Sequence, residues 1–337
     1  MTVPPLPGGL GRDRLFQGAR RMPGSGTARF AETDDYEVGF RDVFADFILT
    51  HRGAFGARTA LIKLRNLHLL RAQEALPRVA FVSLPPTAVL ISFSMDPSLP
   101  LVWRGQTLDA GEIMLHSRGE RLHQRTVGAA CWGLISLPPA SLAAFAKALT
   151  RDALTAPASG QILRPSPPHL KRLLRMLAEA ARLAETKPQI LRHPEVVRAM
   201  EQDLAGVLVN CLTESEPRIE TDAIRRAADT LVRFEDVLAT CSPQEWRLAE
   251  LCAAVGVSER TLQNYCAMFL GVAPTQYMQL RRLRRVRAAI RHADPTKARI
   301  GDLARSGGFA EHGRFATLYR LTYGETPSVT LRRSGDV

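Results

Sequence analysis

Behind Ser258 stand three polar side chains at helical spacing, Arg260, Gln263 and Asn264. A guanidinium and two carboxamides carry the paired donors and acceptors that match base edges, Arg with guanine and Asn or Gln with adenine, in the major groove of a duplex. A second set recurs about 50 residues later in His312, Arg314, Thr317 and Arg320. Between the sets Arg281, Arg282, Arg284, Arg285, Arg287 and Arg291 crowd one stretch, and Arg284 and Arg285 are its candidates for phosphate contact. For each residue the plain alternative is a solvated helix face.

Such side chains reach a groove only if short helices present them. In the stretch from Trp246 to Leu262, a first helix would bury Leu248, Leu251 and Cys252, Gly256 would take the left-handed turn, and Val257 would fill the corner. Ser258 then caps a helix expected over Glu259 to Leu270, with Leu262, Cys266 and Phe269 inward. A second copy places Ile300, Leu303 and Ala304 in a short helix, Gly307-Gly308 in the turn and Phe309 in the corner. Its next helix is expected from Glu311 to Thr322, with Phe315 and Tyr319 inward. One long helix, Thr275 to His292, joins the copies through Leu280, Leu283, Val286 and Ile290. Two such units about 34 Å apart can enter successive major-groove turns on one side of B-DNA.

The pairing of S-x-R-T-L with G-V-x-P in Ser258 to Pro274, followed by G-F, F, Y and G-E-T-P-S in Gly308 to Ser328, resembles the AraC/XylS family of transcription regulators. The resemblance covers roughly Asp222 to Arg333, and the variant Phe309-Ala-Glu-His-Gly-Arg-Phe-Ala is nearest the branch that includes ethanolamine-operon regulators. It implies two helix-turn-helix subdomains joined by the long helix. It also implies an effector-binding β domain ahead of them, an activator role, and duplex promoter DNA, RNA polymerase and a small-molecule effector as partners. Arg260, Gln263, Asn264, His312, Arg314 and Thr317 are the positions it points to on DNA. Two residues depart from the family pattern: Cys266 stands where an aromatic is usual, and Gly313 where a small polar residue is usual.

The rest of the chain fits an α+β protein. Residues 1–28, rich in Pro, Gly and Arg, read as a flexible leader. Residues 29–154 read as the sensing β domain, of antiparallel and cupin-like kind, because short apolar runs such as Val79-Ala-Phe-Val-Ser-Leu alternate with turn residues. A helix is expected within it over Val38 to Leu49. A Pro-rich linker follows from Thr155 to Pro168, and residues 168–220 form a helical linker or homodimerisation segment with a stripe of Leu170, Leu173, Leu174, Leu177 and Ala181. The DNA-binding domain occupies 221–334.

Charge agrees with that division. The chain carries a net +12, and from Pro243 to Arg333 there are 15 Lys or Arg against 7 Asp or Glu, a net +8. A polyanionic partner at the C-terminal end follows. RNA is the weaker choice of polyanion, because aromatics make up 6% of the chain and those of the C-terminal part fall on inward positions rather than on stacking platforms.

Catalytic chemistry finds little support. Cys131, Cys211, Cys241, Cys252 and Cys266 are odd in number and lack a C-x-x-C pair, which speaks against disulfides and zinc and for a reducing cytoplasm. No P-loop or G-x-S-x-G elbow is present. A cupin-type metalloenzyme fused to a DNA-binding module is the alternative, resting on His116, Glu120 and His123, whose spacing misses the H-x-H of such sites. The expectation is therefore a non-enzymatic regulator without cofactor or metal. No run approaches the roughly 18 apolar residues that would cross a bilayer.

Overall fold

The computed structural model describes residues 24–40, 43–96, 98–150, 154–240, 242 and 247–333. The leader expected over 1–28 lies outside them as far as position 23, and by Gly26 the chain is already a strand. The chain divides into two units, one made of Met22–Phe47 and Phe55–Ala228 and one built on Asp229–Val337, with which Ile48–Ala54, the end of a strand and the loop after it, is grouped.

The first unit is α+β. After β1 (Gly26–Phe30) and helix α1 (Thr33–Val38) come β2 (Phe44–Leu49), β3 (Ala57–Lys63), β4 (His68–Glu74), β5 (Arg78–Ser83) and β6 (Val89–Ser94). Then follow β7 (Leu101–Trp103), β8 (Gln106–Leu108), β9 (Ile113–Leu115), β10 (Arg121–Thr126) and β11 (Ala130–Leu137). Helix α2 (Pro139–Thr150), strand β12 (Gln161–Pro165), helices α3 (Pro167–Thr186) and α4 (Pro194–Thr213) and strand β13 (Ser215–Arg218) complete it. An eight-stranded sheet runs β1-β3-β4-β11-β6-β9-β12-β13 and a five-stranded sheet β2-β5-β10-β7-β8.

Period-two alternation sorts each strand between the two faces of its sheet. On β6, Val89, Ile91 and Phe93 join Ile62, Leu69, Ile113 and Ile135 in an apolar layer beneath α2, α3 and α4. Leu90 and Ser92 take the opposite face, where side chains of both sheets meet. Gly133 lies opposite Phe93 on β11, and a methyl group there would come within 2.2 Å of the Phe93 ring.

The stripe Leu170, Leu173, Leu177 and Ala181 belongs to this same core, with Leu174 packed at its margin. Those leucines are thus spent within the monomer; each stabilises it by about 1.5 to 3 kcal/mol on burial.

Two expected elements turn out differently. Over Val38 to Leu49 the helix ends at Val38 and the chain becomes strand β2, because Phe47 donates its backbone N–H to the Glu37 carboxylate at 2.6 Å and the segment then joins a sheet. The Pro-rich stretch from Thr155 holds β12, where Ile162 and Leu163 are buried and paired to β9 and β13. Prolines near a strand's ends leave its middle free to pair, and Pro165 is the last residue of this strand.

Helix α5 (Asp222–Thr240) starts in the first unit and ends in the second. Beyond it come α6 (Leu248–Val255), α7 (Glu259–Phe269), α8 (Pro274–Arg291), α9 (Ile300–Ser306), α10 (His312–Tyr323) and α11 (Pro327–Arg333). Among the described residues no helix is long and apolar enough to cross a membrane.

Candidate nucleic-acid interface

The second helices of the two helix-turn-helix units, α7 and α10, are positioned by tight turns. Helix α6 buries Leu251, Cys252 and Val255 and stops at Gly256, whose φ of 78° lies in the left-handed region that glycine adopts without penalty. Ser258 opens α7 by accepting a hydrogen bond from the Thr261 backbone N–H at 3.1 Å. Leu262, Cys266 and Phe269 face inward, as their spacing predicts. That leaves Arg260, Gln263 and Asn264 exposed near the start of α7.

In the second unit Gly308 has φ 87°, Phe309 packs its ring 5.1 Å from Phe315, and Phe315 and Tyr319 are buried. His312, Arg314, Thr317 and Arg320 are all exposed. They are less free than the first set. Glu311, the N-cap residue, makes no side-chain cap, and its carboxylate instead holds Arg314 Nε at 3.0 Å. The His312 ring lies over Gly301 of α9, where an added methyl would come within 2.8 Å of it.

Helix α8 runs 18 residues, about 27 Å at 1.5 Å per residue. Leu283, Val286 and Ile290 are buried as expected, and Leu280 is half-buried. Its arginines divide. Arg284 and Arg285 are half-buried, and Arg285 Nη2 donates to the Leu238 carbonyl at the end of α5 at 3.2 Å. Arg281 and Arg287, which the sequence reading placed around the apolar stripe, are buried.

These two arginines anchor the helices. Arg281 and the Tyr277 hydroxyl both donate to the buried Glu235 carboxylate of α5. Arg287 donates to the Tyr319 hydroxyl at 3.0 Å and to Glu325 at 3.0 Å, and its guanidinium lies 4.3 Å from the centre of the Tyr323 ring. Thr330 accepts from Tyr319 at 2.8 Å and donates to Glu325 at 2.8 Å, so the cluster is closed. The available signal was spacing: Arg281 follows Tyr277 by four residues and Arg287 follows Leu283 by four.

Cys266, the departure from an aromatic, is fully buried, and burial together with the Glu235 charge pushes its thiol up to about 12. It therefore acts as a small apolar residue rather than a nucleophile. Cys241 lies outside the described residues. In the first unit, His116 and Glu120 come together, with Nδ1 3.3 Å from Oε2, while the His123 ring lies 5.0 Å from that of Phe81.

Residues 251–333 match a family model described as a helix-turn-helix domain. Over 142 residues the chain is 32% identical to the probable thc operon regulatory protein of Rhodococcus erythropolis, a match covering 42% of each chain. It is 38% identical over 142 residues to the XylDLEGF operon transcriptional activator of Pseudomonas putida, covering 42% of this chain and 44% of that one. The chain spans less than half the length of these curated relatives. Among solved structures, the AraC-like transcriptional activator CuxR aligns over 84% of this chain and 100% of its own, with 15% identity and a TM-score of 0.41. Residues 251–333 thus match a helix-turn-helix domain, and over its C-terminal part the chain is similar to operon regulators of the AraC/XylS kind.

Proposed function

We propose that the protein is a sequence-specific DNA-binding transcription regulator of the cytoplasm, an activator that works with RNA polymerase. Its N-terminal unit responds to a small-molecule effector. The observation that carries the reading is the pair of reading helices, each with its apolar residues inward and its polar residues exposed near the N-terminal end, where such a helix meets base edges. Arg260, Gln263 and Asn264 on α7 read bases; His312, Arg314, Thr317 and Arg320 on α10 form the second contact set. Arg284 contacts phosphate, whereas Arg285 would first have to release the Leu238 carbonyl.

Titration of the full-length protein against the duplex upstream of its own gene, and against a random duplex of equal length, tests this reading. The specific duplex should bind about a thousandfold tighter or better. Both affinities should fall steeply between low and physiological salt as phosphate counterions are released. Equal binding to the two duplexes, or none to either, overturns the proposal.

A further inference from the structure

A chain of buried polar contacts leaves the space between the two sheets and ends on the helix that continues into the DNA-binding region. It begins at Ser92, fully buried on β6, whose Oγ lies 2.9 Å from His116 Nε2. His116 Nδ1 faces Glu120 Oε2 at 3.3 Å, and the Ser117 backbone N–H donates to the same oxygen at 3.2 Å. Arg104 Nη1 donates to the other oxygen, Oε1, at 2.7 Å. Its second nitrogen, Nη2, lies 3.3 Å from Glu220 Oε1. Glu220 in turn accepts from Arg225 Nε of α5 at 3.5 Å.

Arg104 is the link that makes the path continuous, and its backbone is unusual. Arg104 and Gly105 form the two-residue turn between β7 and β8, with φ 49° and 73°. Two positive φ values suit Asn-Gly or Gly-Gly, and Arg104 is the one non-glycine residue with positive φ among the described residues. A side chain kept in a strained backbone, 8% exposed and shared between two carboxylates, is held there by its contacts. Burial alone would raise the Glu120 carboxyl, yet the His116 hydrogen bond and the charges of His116 and Arg104 hold it below the usual carboxylate range. Gly160 lies so close that a methyl group there would stand 2.7 Å from both Glu120 oxygens.

We propose that Arg104 is a latch: it ties His116 and Glu120 between the sheets to Glu220 at the head of α5, so that a change between the sheets alters the first turns of that helix. The interior end is open to such a change. Trp103, next to Arg104, has a buried indole N–H without a hydrogen-bond partner, and its ring lies 5.0 Å from that of His116. The proposal rests on the regulatory reading above, supplying the residues through which the N-terminal unit would act. Its geometry stands apart from DNA binding.

Hydrogen exchange of the full-length protein, followed by mass spectrometry over Asp222 to Ala228, tests the latch. His116→Ala should speed exchange of that segment about tenfold, the effect of losing one charge-assisted hydrogen bond. Arg104→Ala should do the same, and the double variant should add nothing to either. Glu220→Gln, at the outer end of the path, replaces Arg104→Ala in this cycle if the latter fails to fold. Gly160→Ala should act in the same direction by crowding the Glu120 carboxylate. Additive effects in the cycle overturn the latch, as does a His116→Ala variant whose strands exchange faster while Asp222 to Ala228 does not. The specific and random duplexes are titrated against the same proteins. Wild type that fails to discriminate between them overturns the regulator, whereas a failed cycle in a discriminating protein overturns the latch alone.

Discussion

The two helix-turn-helix units are copies of one plan. Shifted by 52 residues, Leu231, Phe234 and Leu238 of α5 fall on Leu283, Val286 and Ile290 of α8, and Gly256 falls on Gly308. Past the turn the shift becomes 53, Ala310 being the extra residue, and Leu262, Cys266, Gly271 and Pro274 fall on Phe315, Tyr319, Gly324 and Pro327. Gly271 and Gly324 share the left-handed backbone, with φ 70° and 76°. At the same place in this repeat the buried anchor has opposite sign: Glu235 in the first copy, Arg287 in the second. The packing therefore requires a buried charge bound by hydroxyl and ionic partners, and it tolerates either sign once the partners are complementary. A second difference lies on the outward face of the second helix of each unit. The first copy caps its helix with Ser258 and leaves Arg260, Gln263 and Asn264 outward, while the second leaves its helix uncapped and ties Arg314 to Glu311.

The anchors give the largest expected effect and the sharpest test of their equivalence. Removing one member of a buried charged pair costs about 3 to 5 kcal/mol, because the other charge stays buried without its partner. Glu235→Ala should reach that range, since it strips the buried Arg281 of its carboxylate. Arg287→Ala should cost less, because Glu325 keeps Arg333 at 2.6 Å and is the more exposed carboxylate. Exchange protection of α5 in the first variant and of α10 in the second measures the two losses. Equal losses would break the predicted asymmetry between the copies, and losses under about 1 kcal/mol in both would show that these clusters do not anchor the helices.

At the reading surface the comparison predicts an asymmetry. Gln263→Ala should lower discrimination between the specific and random duplex by about 1 to 3 kcal/mol, the worth of a good bidentate base contact. Arg314→Ala should lower it less, since Arg314 must leave Glu311 before it reaches a base. Competition binding at fixed salt separates the two, and an Arg314→Ala loss as large as that of Gln263→Ala breaks the asymmetry.

What was legible in the sequence was local. The Ser258 cap, the Gly256 turn and the inward spacing of Leu262, Cys266 and Phe269 are each set by residues within a turn or two, so pattern alone finds them. Arg281 and Arg287 escaped because an arginine in a basic run reads as surface, and their burial depends on Glu235, 46 residues away, and Glu325, 38 residues away. The same holds in the first unit. His116 and Glu120 stand out as a spaced pair, but Ser92 and Arg104 join them only when strands distant in sequence are brought together. Strand β12 was hidden by its proline neighbours, and β2 by apolar residues whose spacing suits helix and strand alike when the run is short.

The smallest expected effect is at the caps, and it asks whether the second copy is uncapped by need or by default. Ser258→Ala removes an acceptor from the Thr261 N–H and should destabilise the protein by about 1 kcal/mol. The converse change is Glu311→Asp. Glu311 already has the extended backbone of an N-cap residue, at φ −105° and ψ 106°, and its carboxylate already favours the positive end of the helix. Its fault is length: the longer side chain reaches Arg314 Nε rather than the backbone N–H of the third helical residue. Shortening it by one methylene keeps the charge and brings an oxygen within reach of that N–H, a gain of up to about 1 kcal/mol. The same change releases Arg314, so affinity for the specific duplex should rise together with the midpoint of thermal unfolding. A rise in stability without a rise in affinity would mean that Arg314 reads no base even when free, which would leave discrimination to α7. If stability does not rise either, α10 takes its position from the Arg287 cluster alone and its first turn contributes nothing to the difference between the copies.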